Sequence, residues 1–94
     1  MLRFIVVHPV AFTEEQLAPL AKEQLPEGVA WHATYIDVDG KKTFCHWHAP
    51  TVEALREVFV KYEIPYETIH TVRLFDPLVG RIEPAPEVKV LQPA

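Results

Sequence analysis

The sequence predicts an α+β fold of the ferredoxin-like βαββαβ type. Three observations carry that prediction. Two stretches of helical periodicity each open on a capping threonine, an Asp-Gly pair joins two strand-like runs, and a further apolar run stands at each end of this series. The first strand is Leu2 to His8, a continuous apolar run stopped at Pro9, and its continuity predicts a central strand covered on both faces. Thr13-Glu14-Glu15-Gln16 then fits a capping box, with two acids where the helix dipole favours them. Leu17, Leu20, Ala21 and Leu25 give the inward stripe, Pro19 predicts a kink, and Pro26 and Gly28 end the helix. Val29 to Val38 and Lys41 to Ala49 are the next two strands, joined at Asp39-Gly40. A two-residue turn there pairs Ala33 with His46, His32 with Trp47 and Trp31 with His48. Side-chain alternation puts Trp31, Ala33, Tyr35, Phe44, His46 and His48 on one face. His32, Thr34, Ile36, Thr43, Cys45 and Trp47 take the other. Thr51 caps a second helix, with Val52, Leu55, Val58, Phe59 and Tyr62 inward and Glu53, Arg56, Glu57 and Lys61 outward. After Pro65, Glu67 to Phe75 supplies the fourth strand.

The expected sheet is antiparallel, of order 4-1-3-2, with both helices on one face. Residues 1–77 form the domain, and 78–94 a Pro-rich arm with short apolar runs at Leu78-Val79 and Val88 to Leu91. The uncovered face, bearing Trp31, Tyr35 and Phe44, predicts a homodimer of the dimeric α/β-barrel type, sheet facing sheet, with the arm reaching the partner.

Composition excludes several function classes. The chain has 94 residues and a formal charge of −4, with nine Lys and Arg scattered along it, so no basic surface for nucleic acid is expected. LRFIVVHPV is too short to span a bilayer and reads as a buried strand, so no membrane association and a cytoplasmic address are expected. A single cysteine makes neither an intramolecular disulfide nor a CxxC zinc pair, which leaves imidazole and carboxylate as the donors for any metal.

Residues 27–77 carry a specific march of motifs: Gly28-Val29, Trp31, Thr34-Tyr35, the hairpin, Thr43-Phe44-Cys45, Trp47, Ala49-Pro50, Ala54-Leu55-Arg56, Pro65, Ile69, Val72 and Asp76-Pro77. This block resembles a small bacterial domain-of-unknown-function family that includes a nickel-binding protein. The resemblance implies a dimeric ferredoxin-like fold and a divalent metal such as nickel. The chain departs from the family pattern at functional positions. Ala33 stands where the family has histidine, His48 where it has glutamate, and His46 where an aliphatic residue is usual.

His46 and His48, two apart on one strand, project in the same direction and can chelate one divalent ion. The bland account makes them polar members of a dimer face. Further ligands could come from Asp37, His32, His70, His8 or the dimer mate, and a second pair, His8 with His70, is a weaker candidate. Cys45 points away from His46, so a Cys/His nucleophilic dyad fails and a core thiol is expected. No glycine-rich phosphate loop, serine elbow or HExxH is present, and no organic cofactor is expected. Two other function classes stand beside the metal-binding homodimer: a barrel that binds a small organic molecule, with a histidine as acid or base of a cofactorless enzyme, and an interaction module without chemistry.

Overall fold

The computed structural model describes residues 1–86. Its elements are β1 (Leu2–His8), α1 (Glu14–Ala21), β2 (Ala30–Ile36), β3 (Thr43–Ala49), α2 (Val52–Lys61), β4 (Thr68–Val72), β5 (Phe75–Asp76) and β6 (Arg81–Ile82). The first four strands form one antiparallel sheet in the order β2-β3-β1-β4, which is 4-1-3-2 counted from the other edge.

Alternation along β1 and β3 divides the molecule. Phe4, Val6 and His8 with Thr43, Cys45, Trp47 and Ala49 are buried beneath the helices, where Leu55, Val58 and Phe59 of α2 complete the core. Arg3, Ile5 and Val7 with Phe44, His46 and His48 line the opposite, helix-free face and are half-buried. The continuous apolar run of β1 therefore has a covering layer of helices on only one side. Ile5 and Val7 are the apolar residues that continue it onto the open face.

Both helices start as their capping threonines require. Thr13 accepts from Gln16 N while the Gln16 side chain returns to Thr13 N, and Thr51 accepts from Ala54 N. α1 ends at Ala21, so Leu25 lies beyond it. With Pro19 inside and no buried residue, α1 is the more weakly held helix. The loop before it is fastened by buried Thr43, whose hydroxyl donates to Val10 O at 2.7 Å and accepts from Phe12 N at 3.1 Å.

α2 ends in a Schellman motif. Ile64 N donates to Phe59 O at 2.8 Å and Glu63 N to Val60 O at 3.2 Å, which places Glu63 in the left-handed region at φ 54°. A side chain there costs about 1 kcal/mol relative to glycine. Glu63→Gly is therefore expected to stabilise the protein by up to about 1 kcal/mol, visible as a higher urea midpoint at unchanged slope. A lower midpoint would show that the Glu63 side chain makes a stabilising contact outweighing its backbone cost.

The β2–β3 connection is wider than a two-residue turn. Regular pairing stops at Ile36 and Thr43, and Asp37 closes the loop, its carbonyl accepting from Gly40 N and its carboxylate from Asp39 N. β4 ends at Val72, and residues 75–82 form a separate hairpin spanning the point where the sequence places the start of the arm. The apolar run Val88 to Leu91 lies outside the described residues. Among the described residues, no helix is long and apolar enough to cross a membrane.

Candidate metal centre on the open sheet face

One irregularity in β2 builds the site. From Ile36 back to Ala33 the pairing follows the expected register, but Trp31 pairs with Trp47 and Ala30 with His48, with a β-bulge between Trp31 and Ala33. The extra residue reverses the alternation. This corrects the expected faces: Trp31 lies with Trp47 on the helix side, and His32 lies with His46 and His48 on the open side.

The physical reason lies in Trp31. Its indole stacks on that of Trp47, with ring centroids 5.7 Å apart and planes within 12°, and its Nε1 donates to Thr34 Oγ1 at 2.7 Å. Phased as expected, Trp31 would stand on the open face without these contacts, and His32 would bury a polar ring in their place. Burying the larger apolar side chain and satisfying its N–H is the favoured choice.

Three imidazoles consequently meet on the open face. Ring centroids are 3.8 Å apart for His32 and His48, and 5.1 Å for both His32 with His46 and His46 with His48. His32 Nε2 and His48 Nδ1 are hydrogen-bonded at 2.6 Å. Arg3, opposite His48 in the β1–β3 ladder, donates from Nε to His48 Nε2 at 3.3 Å and from its Nη2 to Glu83 at 3.1 Å. His46 Nε2 is buried without a hydrogen-bond partner.

Burial and neighbouring charge keep His46 and His48 neutral. Burial, then the neighbouring His32, His46 and Arg3, hold His48 down to about 4. Burial, His32 and Arg3 lower His46 as well. Neutral imidazole is the form that ligates metal.

The remaining expected residues fall elsewhere. His8 is 1% exposed on the helix side, where its Nδ1–H donates to Pro65 O at 2.7 Å and burial lowers its pKa. His70 sits opposite Ile5 on the open face of β4, where its Nε2 is hydrogen-bonded to Thr68 Oγ1 at 2.9 Å. The fold does not bring His8 and His70 together, because they project from opposite sides of the sheet. Asp37 belongs to the β2–β3 loop rather than to the cluster. Cys45 is buried on the side away from His46, with Sγ 3.2 Å from Thr34 Oγ1, and burial raises its thiol against the opposing pull of Thr34 and Trp47. From that side of the sheet its thiol does not reach the histidine cluster.

Arg3 is the site residue the sequence does not announce. Its proximity to His48 depends on the β1–β3 register, and the only signal is an arginine inside an otherwise apolar strand.

Neutral histidines in acid have a stability consequence. Unfolded imidazoles protonate near 6.5, whereas His8, His46 and His48 do so only at lower pH in the fold. The unfolded chain therefore binds protons first as pH falls. The stabilisation is complete above about pH 7 and is lost from about 6.5 down towards 4. Urea midpoints measured from pH 7.5 to 4 are expected to fall in that window; a midpoint that rises would contradict this assignment.

As donors for a metal, the cluster has the right chemistry, since imidazole suits nickel, copper and zinc. The orphaned His46 Nε2 is a lone pair or an N–H without a protein partner. The rings as they stand do not converge: no group of three donors surrounds a common point among the described residues. Two nitrogens sharing an ion with bonds of about 2.1 Å stand about 3 Å apart at a right angle, so the His32–His48 hydrogen bond must yield first. His32, His46 and His48 are the residues that would hold an ion, whose contribution would be a compact divalent charge on this face.

Fold and cluster together define a small α+β protein with a histidine-rich open sheet face. The chain belongs to the family described as nickel responsive protein SCO4226-like, whose model matches residues 4–72. Among solved structures it is similar to the crystal structure of SCO4226 from Streptomyces coelicolor A3(2), at 26% identity and a TM-score of 0.62, over 77% of this chain and 96% of that one. A search of curated proteins finds no match.

Proposed function

We propose that the protein binds a divalent transition metal of the nickel class through His32, His46 and His48. It does so as a homodimer of ferredoxin-like plaits packed sheet to sheet, serving storage, buffering or sensing of the ion. The observation that carries this reading is the bulge in β2, which turns a third imidazole onto the face of the other two. The family's description as nickel responsive supports the choice of metal. Support for the dimer comes from the apolar character of the same face, where Ile5, Val7 and Phe44 are half-buried and Tyr35 is 64% exposed. A dimer mate would also bring a second set of histidines to the site.

The space beneath the helices does not favour an organic ligand. The cavity lined by His8, Trp31, Trp47, Phe59 and Tyr62 has a volume of about 30 Å³. That is room for one or two water molecules, not for a substrate.

Nickel titration by calorimetry, on the full chain without a histidine tag, tests the proposal. Saturable binding at a fixed ratio of ion to chain is expected. Heats no larger than dilution would refute it.

A further inference from the structure

Arg3 offers something beyond a neighbouring charge. A guanidinium has donors only, so at 3.3 Å its Nε–H must point at a lone pair on His48 Nε2. A neutral imidazole carries one N–H, and that hydrogen is thereby placed on His48 Nδ1, facing His32 Nε2 at 2.6 Å. Donation runs in a single sense, Arg3 to His48 to His32.

We propose, building on the metal reading above, that Arg3 weakens and sets the metal affinity of the cluster by competing with the ion for His48. An ion that takes Nε2 displaces the Arg3 N–H directly. An ion that takes Nδ1 sends the imidazole hydrogen to Nε2, where it meets the Arg3 N–H head-on. Both routes break the Arg3 contact, and both leave the guanidinium of a side chain only 11% exposed beside a divalent charge. Glu83, just after β6, is the carboxylate on Arg3, at 3.1 Å. It draws the guanidinium away from His48 and offsets its charge. Glu83 therefore favours metal binding without ligating the ion, and couples the segment after β6 to the site.

The test uses the full chain and nickel alone. Arg3→Met keeps the apolar stem and removes the charge and donors. It is expected to bind nickel about tenfold more tightly, the lower end of what neighbours of metal ligands contribute. Arg3→Lys, which keeps the charge and a donor, stays near the wild-type affinity, and Glu83→Gln binds more weakly. In the metal-free protein, ¹⁵N NMR of the histidine rings is expected to show His48 with its hydrogen on Nδ1 in wild type and to lose that preference in Arg3→Met. Folding of each variant is verified by its thermal transition. Nickel binding that Arg3→Met leaves unchanged or weakens overturns the competition alone, as does a metal-free wild type with the His48 hydrogen on Nε2. If no protein takes up nickel, the metal reading falls with it.

Discussion

Replacing His46 and His48 together with alanine is expected to lower nickel affinity by two orders of magnitude or more. Residues that merely orient a ligand contribute about 10- to 100-fold, and loss of two donors exceeds that. His32→Ala alone should weaken binding markedly, because the β2 bulge brings its ring to within 3.8 Å of His48. His70→Ala is the control: it lies on the same face, one strand beyond Ile5, and its ring is engaged with Thr68. The histidines stand on the helix-free face, so these substitutions leave the core intact. Calorimetry on the four proteins checks the set. Equal affinity in wild type and the double variant would move the metal off this strand.

Phe59→Ala is expected to cost about 3–5 kcal/mol, the range for removing a buried phenylalanine. Phe59 is 1% exposed at the centre of the aromatic core. Its ring meets His8 edge-on at 5.5 Å and Trp47 edge-on at 5.6 Å, with Tyr66 at 5.3 Å. Truncation enlarges the existing cavity beside it and unseats α2 from the sheet. A domain of this size has about 5–14 kcal/mol of stability in all, so the variant should lose a large part of its folded margin. Equilibrium urea unfolding measures the change. A loss below about 1 kcal/mol would mean that α2 repacks without it.

Much of the architecture is legible from local signals because those signals are strong here. Thr13 and Thr51 start the helices where capping chemistry demands, and the run from Leu2 to His8 gives β1 its bounds. The β2–β3 register over Ala33 to Ile36 follows from the Asp39-Gly40 position even though the turn itself is wider. The bulge is not legible, because period-2 alternation has no way to mark an inserted residue except a break in phase. Val29 and Trp31 face the helices, and so does Thr34, one residue out of step. Tyr35 and Ile36, both apolar, mask that break. Strict alternation through that stretch therefore points Trp31 outward and His32 inward. The correction adds His32 to the cluster and takes an indole out of the open face, so the apolar case for a dimer there rests on Ile5, Val7, Tyr35 and Phe44. Arg3 is hidden for a different reason: its role depends on cross-strand contact with a residue 45 positions away.

Nickel-edge X-ray absorption on the full chain loaded with one equivalent of the ion, repeated with the His46→Ala/His48→Ala variant, reads the donors around the ion themselves. The metal reading predicts a wild-type spectrum with the multiple-scattering signature of imidazole ligands, and a variant that retains little nickel. A wild-type shell of oxygen donors alone, or an imidazole signature that survives the double substitution, would contradict it.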